Sequence, residues 1–173
     1  MIVNLPQAFV QSHNQKFRKF FKIMLSLSSK LEKKAISIDV KSIQNESVQS
    51  FSAFAVKLNE EQLRPIILSL TKWASKIKDG QEVNHQKAIV LCKLLSCVLE
   101  TLKEFFVPFL PLYFETFIMP VLKSLTTQLK GSGKKRSHAQ AETSVPQDVQ
   151  ETLLAELCRT IQLNFKYDSG AFI

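Results

Sequence analysis

Residues 57–74, KLNEEQLRPIILSLTKWA, decide how the rest of this chain is read. Asn59 can accept from the first turn of a helix through its side-chain oxygen, and Gln62, three residues on, can return the bond as a capping box. Glu60 and Glu61 then lie in the first turn, where negative charge suits the positive end of the helix dipole. Leu63, Ile66, Ile67, Leu70, Trp73, Ala74 and Ile77 recur at the three-and-four spacing of one helical face. Pro65, well inside, removes an amide donor and should bend the helix rather than start it. A capped, one-faced helix of this kind belongs in a stacked helical array.

The flanking sequence carries the same period. Before it, Phe17, Phe20, Phe21, Met24, Leu25, Ser28 and Leu31 trace an apolar stripe on a first helix, or bent pair, over about 5–34. An extended connector at 35–42 leads to a second helix, 42–58, with Val48, Phe51, Ala55 and Leu58 on one side. The third helix is the quoted stretch, closed by Asp79-Gly80. A fourth runs over 84–106 with a broad stripe from Ala88 to Phe106. Pro108 and Pro111 then turn the chain into a fifth, 112–129, which Pro120 kinks. Pro146 opens a sixth, 147–165, with Val149, Leu153, Leu154, Leu157, Ile161 and Phe165 inward. Trp73 and Phe51 are the expected core anchors.

Composition agrees with this reading. Of 173 residues, 45% are hydrophobic, and only 4 Gly and 6 Pro are available for turns. Thirteen Phe against 2 Tyr and 1 Trp favour buried packing, since Phe has no polar handle. The expected fold is all-α: about six helices as stacked antiparallel hairpins, the second pairing with the third and the fourth with the fifth. The sixth has no sequential partner, and no polar-faced closing helix follows it, so the chain reads as a piece of a longer array. The organisation expected is helical repeats over 1–129, a disordered basic loop at 130–146, and a further repeat helix over 147–173.

Charge is the other informative property. The formal net charge is +8, concentrated at the N-terminal helix and in the loop KGSGKKRSHAQAETSV. Lys16, Arg18, Lys19 and Lys22 fall within two turns, interleaved with Phe17, Phe20 and Phe21. They are candidate contacts for RNA or an acidic protein surface, as are Lys134, Lys135 and Arg136 in the loop. The competing reading makes those Phe core and the bases a solvated face, and helical spacing favours it.

Catalytic chemistry finds little support. Gly131-Ser132-Gly133-Lys134 lacks the spacing and the hydroxyl residue of a phosphate loop. His13, His85 and His138 have no Cys or carboxylate at ligand spacing. The three Cys read as reduced, buried thiols. No catalytic residue, metal ligand, cofactor or small-molecule substrate is expected. Phe105–Leu122 is apolar, but Glu115 and three prolines argue against a membrane span.

The quoted stretch also resembles a known family: the C-terminal domain of the large HEAT-repeat protein of the small-subunit processome (U-three small nucleolar RNA-associated protein ten, or HEAT repeat-containing protein one). Its signature is met by Leu58, Asn59 and Glu60, by Arg64 and Pro65, and by Trp73-Ala74. Leu99 to Phe106 followed by Pro108, and Leu163 to Ile173 with Tyr167-Asp168 and Phe172-Ile173, are similar to two further family segments. The resemblance implies a HEAT-type α-solenoid acting as a non-catalytic component of nucleolar ribosome biogenesis. It implies a role in pre-rRNA processing and small-subunit rRNA maturation, and in rDNA transcription. The implied partners are other processome proteins, and pre-rRNA or small nucleolar ribonucleoprotein, direct or indirect. Direct RNA binding through the basic helix and loop, or a generic adaptor solenoid, are the alternatives.

Overall fold

In the computed structural model, residues 4–31, 40–75, 84–131 and 146–168 are described, and among them every regular element is helical. The elements are α1 (Gln7–Ser12), α2 (Asn14–Leu31), α3 (Val40–Ala55), α4 (Glu60–Ser75), α5 (His85–Leu102), α6 (Leu110–Tyr113), α7 (Met119–Gly131) and α8 (Gln147–Tyr167). The break at His13 makes the first run the bent pair. Two 3₁₀ turns, Lys103–Phe105 and Val107–Phe109, and a widened π turn, Phe114–Ile118, occupy the proline-rich segment. The fold is all-α and has the layered hairpins of a HEAT-like solenoid.

The quoted stretch folds as its local chemistry dictates. The Gln62 amide donates to Asn59 Oδ1 at 2.9 Å, and Gln62 Oε1 accepts from the Asn59 amide at 3.4 Å, which completes the capping box. Leu63, Ile66, Ile67, Leu70, Trp73 and Ala74 are all buried. Pro65 stays inside the helix with its ring in solvent, so the Glu61 carbonyl that loses its amide partner lies on an exposed turn. Asn59→Ala removes the cap and is expected to cost about 1 kcal/mol in a urea melt. Asn59→Ser should recover most of it.

How the helices pair departs from expectation. The second and third helices do not form a hairpin: α3 packs on α2 and α5, and α4 packs on α5 and the α6–π-turn segment. Phe17 meets Phe54 at 5.3 Å and Phe21 meets Phe51 at 5.2 Å, so α2 runs antiparallel to α3. Lys87 sits over Trp73 at one end of α4–α5 and Arg64 over Phe109 at the other, which makes a second antiparallel pair. Tyr113 donates to Asn164 Oδ1 at 2.6 Å, tying the run that begins with α6 to α8. The sequential hairpins are therefore α2–α3 and α4–α5, one helix out of step with the reading from sequence. Among the described residues the sixth helix, α8, rests mainly on α5 rather than on the helix before it. The four-residue turn 56–59 links two hairpins rather than closing one.

Stacking then places α3, α5 and α8 side by side in one layer, with α2, α4 and the α6–α7 run behind them. Small hydroxyl residues sit at the crossings. Ser52 donates to Thr101 Oγ1 at 2.6 Å between α3 and α5. Ser96 and Thr160 lie 3.0 Å apart between α5 and α8, and Thr160 also reaches the Cys92 carbonyl at 3.3 Å. The α5–α8 seam is the most extensive helix contact, because α5 is apolar over most of its circumference. Cys92 lies in that seam. Burial and the Glu156 carboxylate push its thiol well above the ordinary range, against a smaller opposing effect of the Thr160 hydrogen bond, so it stays protonated.

The proline segment solves a packing problem. Phe106, Phe109 and Tyr113 stack at 4.9 and 6.0 Å, all buried, and fill the space between the layers. Pro120 stands at the second position of α7, directly after the π turn. The widened turn accommodates the ring where the helix would otherwise need a donor. At the start of the segment, Lys103 has φ 51° and ψ −127°, in the positive-φ region that favours glycine. Lys103→Gly is expected to stabilise the fold by about 1 kcal/mol, read as a rise in Tm of about 2–4 °C. No helix among the described residues is long and apolar enough to cross a membrane.

Candidate nucleic-acid interface

The most distinctive surface is built on α1 and α2. The two helices contain no acidic residue. Val10, Phe21 and Leu25 anchor them in the core, and Phe17 packs at its edge. Gln11 donates to the Lys57 carbonyl at 3.1 Å, and Lys57 Nζ donates to the Leu5 carbonyl, so α1 is fastened to the turn that precedes the quoted stretch. With that face fixed, the helical period turns Lys16, Lys19 and Lys22 outward, all exposed. Arg18 lies a step round toward the core and is half-buried. None of Lys16, Lys19 and Lys22 has an ion-pair partner among the described residues.

The aromatic residues divide. Phe21 is core and Phe17 is largely covered, but Phe20, assigned to the apolar stripe from sequence, is 50% exposed. The reason is geometric: Phe20 sits about 100° from Phe21 around the helix, on the lysine side. Ile23 is 58% exposed on the same arc. Beyond its end, Phe9 is 45% exposed, and its ring stacks on His13 at 4.4 Å with 28° between planes. His13 Nδ1 lies 3.1 Å from the Phe9 carbonyl and 2.9 Å from Ser12 Oγ, which fixes the ring at the α1–α2 break. Phe9, His13, Lys16 and Phe17 line an open cleft there. Neither Phe9 nor His13 stood out in the sequence, because their stacking depends on a helix break that no turn residue marks.

The loop candidates Lys134, Lys135 and Arg136 lie outside the described residues. The signature residues lie at the start of α4 and along it. Asn59 caps α4, and Leu58 is half-buried against the core. Arg64 pairs with Glu60 at 2.7 Å on the surface and lies 5.7 Å from the Phe109 ring centroid. Trp73 donates from Nε1 to Ser26 Oγ at 3.0 Å. Among the described residues, no three His, Cys, Asp or Glu side chains are grouped to hold a metal ion.

Fold and surface together define a helical-repeat domain with a basic, aromatic N-terminal face. The chain belongs to the BP28CT (NUC211) domain family, whose match spans residues 9–173. It is 29% identical over 132 residues to the U3 small nucleolar RNA-associated protein 10 of Mycosarcoma maydis. That alignment covers 70% of this chain and 5% of the fungal protein, so the chain spans a small fraction of its relative's length. No solved structure matches it.

Proposed function

We propose that this chain is a non-catalytic scaffold segment in ribosome biogenesis, acting in the nucleolus within the assembly that processes small-subunit pre-rRNA. The observation that carries the reading is the family match across residues 9–173, with the fungal relative named for its association with U3 small nucleolar RNA. The layered hairpins support it, since stacked helical pairs present extended surfaces for partner proteins. Processome proteins are the primary partners in this reading, and pre-rRNA or small nucleolar ribonucleoprotein is reached directly or through them. Expression of the chain as a fluorescent fusion tests it. Nucleolar enrichment is the expected result, and an even nuclear signal at near-endogenous level counts against it.

A second reading has its own observation. The acid-free face carrying Lys16, Lys19 and Lys22 favours direct contact with RNA. Salt separates the two, since phosphate contacts weaken steeply between low and physiological ionic strength while protein docking does not follow that law.

A further inference from the structure

We propose that the α1–α2 face binds single-stranded RNA by stacking unpaired bases on Phe9–His13 and on Phe20, with Lys16 and Lys19 on the intervening phosphates. The inference rests on the second reading above and adds the class of RNA and the residues that select it. Three observations converge. The rings of Phe9 and His13 already form a stacked pair, and Phe9 is 45% exposed. Phe20 supplies a separate aromatic surface, 50% exposed. Lys16 and Lys19 are exposed along the same arc, with no acid on either helix.

The spacing decides which RNA fits. From His13 to Phe20 is about 10 Å along the helix axis, at about 1.5 Å per residue. Bases stacked in a regular strand rise by about 3.4 Å, so the two platforms cannot take neighbours in a continuous stack. They suit bases splayed from a single strand, whose faces a duplex keeps covered. An acidic peptide would match the lysines. The cleft, however, is lined among the described residues by three aromatic rings and a lysine. That chemistry suits a flat, anionic, π-bearing ligand.

The test uses the full chain and fluorescence anisotropy with a labelled oligouridine, a duplex RNA of equal length and a poly-glutamate peptide. Phe9→Leu and Phe20→Leu keep an apolar side chain at exposed positions while removing the ring. Each is expected to weaken oligouridine binding about tenfold and to leave duplex binding unchanged. Lys19→Gln should lower the slope of log affinity against log salt by about 0.7. Equal affinity for single strand and duplex, or leucine variants that bind like the parent, would overturn the proposal while leaving phosphate-driven RNA binding intact. Binding of poly-glutamate as tight as that of oligouridine, insensitive to both leucine changes, would overturn it in favour of an acidic protein partner. No RNA binding at low salt would remove the second reading itself.

Discussion

Trp73→Ala is expected to lower the unfolding free energy by about 3–5 kcal/mol, the range for deleting a large buried aromatic. The indole is 8% exposed and does three things at once. It fills the inner face of α4, its Nε1 donates to Ser26 of α2 at 3.0 Å, and its ring lies 5.4 Å from Lys87 Nζ at the start of α5. One residue thus joins two successive hairpins. Trp73→Phe keeps most of the volume but removes the Nε1 donor to Ser26 and weakens the cation–π pair, so it should cost about 1–2 kcal/mol. Urea denaturation followed by circular dichroism separates the two. Equal and small losses from both changes would mean that the indole does not bridge the hairpins.

Leu157→Asp should be at least as damaging, at about 3–5 kcal/mol, because it buries a charge without a partner. Leu157 is 1% exposed on the face of α8 that also carries Leu153 and Thr160, and the principal neighbour of α8 is α5. The stacked layers make the effect local at first. Each helical pair rests mainly on its neighbours, so α8 should detach while α2–α5 keep their packing. Amide exchange by mass spectrometry shows this directly: protection lost over 147–167 and kept over 60–75. Uniform loss across the chain would mean that the array unfolds as one unit.

What the sequence disclosed, and what it hid, follows the range of the interactions involved. The capping box at Asn59 and Gln62 and the apolar face from Leu63 to Ala74 are set within a few residues, and both were legible. The hairpin pairing was not. The sequence reading pairs the helix over 42–58 with the helix of the quoted stretch, yet the apolar faces of α3 and α4 turn to different neighbours, and only contacts about 30 to 60 residues apart reveal it. Phe20 was misplaced for a smaller reason. Phe17, Phe20 and Phe21 all fit a broad stripe, and the position of Phe51 and Phe54 across from Phe21 decides which ring is left outside. The positive φ of Lys103 has no signal in its residue type, since nothing in a lysine announces a glycine-like backbone. The exposed lysines of α2 follow from helical spacing, but the cleft at Phe9 and His13 exists only once α1 folds back against Lys57.

The measurement closest to the central claim is an affinity pull-down of the tagged chain from nuclear extract, with and without RNase, probed for processome proteins and pre-rRNA. A scaffold segment that docks through its helical layers predicts co-recovery of processome proteins that survives RNase. Absence of those proteins from both samples would contradict a role in that assembly. Recovery abolished by RNase would contradict docking through protein surfaces and transfer the function to the basic face of α1 and α2.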